Sequence, residues 1–315
     1  MSRIRVGVVG VGRWGRNHVR VLKELEKEGL VEMYAICDVD VARARSVANE
    51  FDVPVVVENV LDLAKHVEAA VVAVPIENLC NVARTLIAEG VHVLVEKPVA
   101  TCVQEIEELI SLSKSRGVFV MPGYIMRFNP VAEKLREVYS KSRIFYVVSR
   151  RLSRRPPHMR RYSILLDLAV HDVDLCMYIT DSNRLSVKSG FVKHVQEDAI
   201  VIAVLEADNS LCHIHVDGLS LAKVREIELI GEEMFVRGDT DSLTVYIKRG
   251  DGSYVIEKLV GEEPLKKEDR TFIRIVQTGE VPEHVPTLES AREVLKVVEK
   301  LQLISRQYDI PEFST

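Results

Sequence analysis

Two places in this 315-residue chain carry groups suited to moving a proton. The first is Glu96-Lys97-Pro98, directly after the apolar run V-H-V-L-V. A lysine at the end of a buried strand can exchange a proton with a substrate hydroxyl. A surface ion pair ahead of a proline that starts a helix is the plain structural reading, and the motif's place one strand past Val74-Pro75 favours the functional one. The second is L-L-D-L-A-V-H-D-V-D over residues 165–174. On an α-helix Asp167, His171 and Asp174 are i, i+4 and i+7, so they share a face. An aspartate beside a histidine makes the imidazole more basic and fixes its orientation. A metal site is the rival functional reading, and a polar helix face capped by Asp167 is the plain structural one. The apolar Leu165, Leu166, Leu168 and Val170 make that face partly buried and weaken the plain reading.

A third stretch, V-G-V-V-G-V-G-R-W-G from Val6 to Gly15, implies a bound anion. Gly10, Gly12 and Gly15 are spaced G-x-G-x-x-G after a β-branched run. That spacing asks for a strand, a turn too tight for side chains, and a helix whose first amides face a dinucleotide pyrophosphate. Asp38 closes the next strand, 23 residues after Gly15, where a carboxylate can accept both ribose hydroxyls. The alternative for Asp38 alone is a turn or cap before the helix 41–51. No arginine follows it directly, so a 2′-phosphate would meet a carboxylate without a positive partner, and NAD is expected over NADP.

These groups need a scaffold, and the first 122 residues supply a regular one. Apolar strands at 4–9, 31–37, 53–57, 69–74, 91–95 and 118–121 alternate with helical spacing, as in a doubly wound parallel sheet. In such sheets ligands sit beyond the carboxyl ends of the strands, where the glycine turn, Val74-Pro75 and Glu96-Lys97-Pro98 all fall. After a helix at 131–140, strands dominate: 143–151, 186–195, 199–207, 211–216, 223–230, 233–237, 243–248 and 254–259. Short turns join several of them, which predicts a large, mostly antiparallel open sheet with one exposed face. One helix, 164–180, interrupts the strands, and an amphipathic helix at 288–306 ends the chain. The expected fold class is therefore α/β: a Rossmann domain over 1–122 and an α+β substrate and oligomerisation domain over 123–315, with the last helix able to pack back on the first domain.

Composition narrows the function. Apolar residues make up 47% of the chain, enough for full burial, and a net charge of −5 argues against a general nucleic-acid or membrane-surface binder. No run approaches the ~18 apolar residues of a membrane span, and the start lacks the apolar core of a signal peptide. Five scattered cysteines without a C-x-x-C pair fit a reducing cytoplasm and no zinc site.

Taken together, V-G-V-V-G-V-G-R-W-G, Asp38, E-K-P at 96–98, G-Y-I-M-R-F-N-P at 123–130 and D-L-A-V-H-D-V-D at 167–174 resemble the glucose–fructose oxidoreductase / inositol dehydrogenase / MocA family over essentially the whole chain. A finer likeness is to its UDP-N-acetylglucosamine 3-dehydrogenase-type branch, through N-H-V-R-V at 17–21, R-F-N-P and the strand around 222–226. The resemblance implies NAD held by Gly10, Gly12, Arg13, Trp14, Gly15, Asp38, Val74, Pro75, Glu96, Lys97 and Arg127. It implies a sugar or cyclitol met by Lys97, Tyr124, Arg127, Asn129, Tyr162, Asp167 and His171. Lys97 would act on the reacting hydroxyl, His171 would be its proton partner, and Asp167 would hold substrate and geometry. A cis Lys97–Pro98 bond would suit such a turn. The family has no catalytic metal. This chain departs from the family's usual pattern at Leu79, Ala169 and Ser163-Ile164, where a histidine and glycines are common.

One stretch bears on the substrate independently. Arg150, Arg151, Arg154, Arg155, Arg160 and Arg161 crowd into twelve residues just before the Asp–His helix. Arginine binds phosphate bidentately, so this reads as a positive patch for a sugar-nucleotide diphosphate, with Arg154 and Arg160 as ligands. A solvated loop or an oligomer contact is the alternative. His213 and His215 share a strand face without a third metal ligand, and Trp14 is expected to pack between helix and sheet. The expected protein is a cytoplasmic NAD-dependent sugar dehydrogenase, a homodimer or homotetramer. Inositol or simple sugars are the second choice of substrate, and a non-catalytic NAD sensor or an NAD-using glycosidase are rivals of other classes.

Overall fold

The computed structural model describes residues 3–195 and 198–307. Strands and helices first alternate: β1 (Ile4–Val9), α1 (Arg13–Lys27), β2 (Val31–Cys37), α2 (Val41–Phe51), β3 (Val55–Val57), α3 (Val60–Ala64), β4 (Ala69–Val72), α4 (Ile76–Ala88), β5 (His92–Glu96), α5 (Val103–Arg116) and β6 (Val120–Gly123). There follow α6 (Pro130–Lys141), β7 (Ile144–Leu152), α7 (Val170–Thr180), β8 (Ser186–Val195), β9 (Asp198–Ala207), β10 (Ser210–Asp217), β11 (Val224–Gly231), β12 (Met234–Asp239), β13 (Thr244–Arg249) and β14 (Tyr254–Lys258). The helices α8 (Pro264–Thr278) and α9 (Leu288–Gln307) come last. Local chemistry sets many of the boundaries. Asp40 and Asn59 cap α2 and α3 through their side chains. Gly117 ends α5 in the left-handed conformation that a β-carbon would oppose.

The chain divides into two compact units, 1–125 with 262–292 and 126–261 with 293–315. In the first, a parallel six-stranded sheet runs in the order β3-β2-β1-β4-β5-β6. Its strands are buried on both faces, with Val6, Val8, Ile36, Val71 and Leu94 fully inaccessible, as the near-continuous apolar runs require. The order reverses between β1 and β4, and that switch point is where such sheets receive ligands.

The second unit carries an eight-stranded sheet in the order β14-β13-β12-β11-β7-β10-β9-β8. It is antiparallel except where β10 runs parallel to β7. Its strands alternate buried and accessible residues, so one face forms the core of this unit and the other is uncovered.

Two features depart from the expected elements. Residues 264–278 form α8, which the strand-rich reading passed over, and residues 262–292 group with the first unit rather than with everything after 122. Leu265, Phe272, Ile273 and Ile275 give α8 a helical stripe, but the buried acids Glu268 and Asp269 interrupt it and hide the period. The expected helix 164–180 opens with a wide π turn over Leu165–Ala169 and becomes α-helical only from Val170.

Candidate active site

The glycine turn has the form its spacing demands. Gly10 stands at φ +83°, and a β-carbon there would press on the carbonyl of Ala73 at 2.7 Å. A β-carbon on Gly15 would collide with the carbonyl oxygen of Gly10, so α1 can approach the turn only without a side chain. A β-carbon on Gly12, by contrast, would meet nothing within 4 Å. Gly12 caps α1 with no side chain of its own, and the space beside it is open, as close approach of a pyrophosphate to a helix N-terminus needs. Arg13 and Trp14 lie on the exposed first turn, and Trp14 is 47% exposed rather than wedged between helix and sheet.

Asp38 is held at the end of β2 in a finished setting. Its carboxylate accepts the amides of Val11 at 2.8 Å and Asp40 at 2.9 Å. Arg43, on the first turn of α2, donates to both oxygens at 3.1 and 2.6 Å. Burial works against its charge, but Arg43 and these amides hold the carboxyl below the usual aspartate range. The expectation that no cation stands by Asp38 is therefore corrected: folding of α2 brings back an arginine five residues on.

Val74 and Pro75 link β4 to α4, with Val74 packed against the glycine turn. Next along the same sheet edge, Lys97 follows Glu96, the last residue of β5, and the Lys97–Pro98 bond is cis. Lys97 is half-buried, and its amide donates to the Glu96 carboxylate at 3.2 Å. Two strand spacings, about 10 Å, separate the ends of β1 and β5. Tyr124, beyond β6, is fully buried.

In the second unit the acids of the 165–174 segment do not form a common polar face. The wide turn breaks the simple i, i+4 relation between Asp167 and His171. Asp167 takes a hydrogen bond from Arg155 Nη1 at 3.3 Å, and the same guanidinium grips Asp198 at 2.9, 3.1 and 2.6 Å. Asp172 is held by Arg151 at 2.6 Å and by Ser149 at 2.6 Å. Asp174 is held by Arg127 through contacts of 2.6 to 3.0 Å, and burial pushes its carboxyl upward against the pull of that arginine. Arg127 is thus buried against the helix it supports, and Asn129 caps α6 while donating to the carbonyl of Thr240. His171 is half-buried.

These pairs also dissolve most of the expected arginine patch. Arg150 bonds Glu226 and Glu228, Arg151 bonds Asp172, and Arg155 bonds Asp198 and Asp167. Arg160 is half-buried with its Nε 4.0 Å from Asp198, and Arg161 lies over the ring of half-buried Tyr162. Arg154 is exposed. Sequence spacing counts charges but not partners, and the partners here are 21 to 78 residues away for Arg150 and Arg151.

A glycine turn of dinucleotide-binding form on a parallel sheet, followed by a mostly antiparallel sheet, defines a two-part α/β architecture. Residues 4–124 match the Gfo/Idh/MocA model, described as an oxidoreductase family with an NAD-binding Rossmann fold. A stretch of 200 residues is 28% identical to UDP-N-acetylglucosamine 3-dehydrogenase of Acidithiobacillus ferrooxidans, covering 63% of this chain and 61% of that protein. A myo-inositol 2-dehydrogenase of Thermotoga maritima is 28% identical over 56% of this chain and 54% of its own length. The alignments thus span little more than half of these relatives. Among solved structures, the A. ferrooxidans enzyme GnnA superimposes with a TM-score of 0.87 at 21% identity, covering 98% of this chain and 99% of that one. KijD10, a 3-ketoreductase of Actinomadura kijaniata in complex with NADP and TDP-benzene, gives 0.85 at 20% identity, covering 96% and 98%. At these identities the structural likeness speaks for the fold.

Proposed function

We propose that the protein is a dehydrogenase that uses NAD to oxidise a ring hydroxyl of a sugar, with a UDP-amino sugar as the preferred substrate. The observation that carries the reading is the placement of Lys97 on the same sheet edge as the glycine cradle, two strands away. A nicotinamide dinucleotide held by Gly10, Gly12, Gly15 and Asp38 would supply the hydride acceptor for the carbon that bears the reacting hydroxyl. The chain then has to manage the proton. Lys97 acts on that hydroxyl, His171 serves as its proton partner, and Asp167, fixed by Arg155, orients the substrate. Gly10, Gly12 and Gly15 make room for the pyrophosphate, and Asp38 accepts the ribose hydroxyls once Arg43 yields its bonds.

Lys97→Ala should lower kcat by about 10² to 10⁴-fold while NAD affinity stays within a few-fold. Retained turnover would overturn the assignment. The reading takes the protein as cytoplasmic and as a homo-oligomer built on the uncovered sheet face.

The name of the A. ferrooxidans relative supports the nucleotide sugar. A second reading, an inositol or simple-sugar dehydrogenase, gains from the neutralised arginines, because an uncharged polyol needs no diphosphate site. Assaying UDP-sugars and polyols with NAD separates the two. Arg154→Ala with Arg160→Ala should harm a UDP-sugar enzyme far more than a polyol enzyme.

A further inference from the structure

Behind the Lys97 turn lies a buried charge cluster to which the proposed chemistry assigns no part. His18 on α1 is fully inaccessible. Its Nδ1 lies 2.9 and 3.1 Å from the two carboxylate oxygens of Asp269 on α8, and its Nε2 lies 3.2 Å from Glu96 Oε1. Asp269 is itself fully inaccessible. A neutral imidazole carries one ring proton and can donate only once, whereas an imidazolium donates from both nitrogens. Two carboxylates on opposite edges of the ring therefore select the charged form. Burial opposes that charge, yet Asp269 and Glu96 together hold the imidazole well above its ordinary value of 6.5. The other oxygen of Glu96 accepts the amide of Lys97. A continuous line thus runs from α8 through His18 and Glu96 to the backbone of the proposed catalytic lysine.

Ion pairs brace the α1–α8 contact that builds this line. Arg20 bonds Glu263 at 2.6 Å, Lys266 bonds Glu24 and Glu28 at 3.0 Å, and Arg270 bonds Glu28 at 2.6 Å. The charged groups acting on the cluster are Asp269 on α8, Glu263 at the start of that helix and Glu96 on β5. Glu268, fully buried beside Asp269 in sequence, adds a further acid on α8.

We propose that His18 is a positioning residue for Lys97: anchored by Asp269, it grips Glu96 and so fixes the backbone from which the lysine side chain leaves. The inference rests on the assignment of Lys97 to catalysis. His18 touches neither cofactor nor substrate in this scheme; it acts through Glu96.

The test uses the full-length protein. In His18→Gln and Asp269→Asn, kcat should fall about 10²-fold, as expected when a reacting group is displaced by about an ångström. KM for NAD should stay within a few-fold, and the pH dependence of kcat should shift. Folded variants with wild-type kcat and pH profile would overturn the proposal, and so would a parallel loss of NAD affinity, which marks a merely structural role. Lys97→Ala runs alongside. If it retains turnover, the catalytic reading fails; if it is dead while the His18 and Asp269 variants are unimpaired, this inference alone fails. Nitrogen-15 NMR of the wild-type ring covers variants that do not fold. His18 should titrate above the ordinary imidazole value, and a His18 signal titrating at or below 6.5 contradicts the grip.

Discussion

Arg43 changes what Asp38 says about the cofactor. The aspartate alone discriminates against a 2′-phosphate, but its partner is a half-exposed guanidinium that can swing out to meet one. Arg43→Ala should therefore weaken NADP binding more than NAD binding. Asp38→Ala should remove a preference for NAD of about tenfold or more. Fluorescence titration of both nucleotides against each variant measures this, and unchanged ratios would count against both roles. The downward shift of Asp38 carries a sign as well. Its charge is present at all pH above the usual aspartate range and is lost only as pH falls through its lowered folded value. NAD affinity should accordingly stay flat from pH 8 down to 5, and a drop beginning near 6 would point to another group.

At the scale of elements, the helix that was to present a polar face is instead tied down by arginines. Arg155 serves two buried aspartates from separate elements, Asp167 on the wide turn and Asp198 at the head of β9. Arg155→Met should destabilise the protein by about 3–5 kcal/mol, since it removes the buried guanidinium that two buried carboxylates share. Chemical denaturation would show this, and a loss below 1 kcal/mol would contradict it. The strands and the glycine turn were legible in the sequence because their signals are local: β-branched runs, spaced glycines, caps such as Asp40. What was hidden needed distant partners. α8 was masked by Glu268 and Asp269, whose burial makes sense for Asp269 only once His18 is beside it, 251 residues away in the chain. The arginine cluster read as free charge because its carboxylates lie on other elements. His18 itself appeared only as a letter in a motif. Its proton is also a stability term. The raised folded value means that its contribution is complete below about pH 6.5 and is lost as pH rises through the folded value. Melting temperatures of wild type should fall toward alkaline pH more steeply than those of His18→Gln.

For the molecule as a whole, the uncovered sheet face matters most. Ile202, Leu211, Tyr254 and Ile256 lie on it at 39%, 42%, 66% and 65% exposure, and cross-strand registers place Val204, Val148, Tyr146, Ile230, Phe235 and Tyr246 on the same side. The same side also carries His213, His215, Arg150, Glu226, Glu228 and Arg237, and a mixed apolar and charged face of that breadth is suited to association between copies. Sedimentation at micromolar concentration should find an oligomer, and Ile202→Arg with Leu211→Arg should shift it toward monomer; a monomeric wild type would contradict this. The pairing of Arg155 with Asp167 and Asp198, and of Arg151 with Asp172, also limits how this chain can be recombined. Residues 153–163 invite exchange between relatives as a self-contained specificity loop, yet a graft of that loop alone would carry Arg155 into the recipient without the two aspartates it is built against here. Substrate preference should transplant only as a block that carries the end of β7, the wide turn with α7, and the start of β9 together.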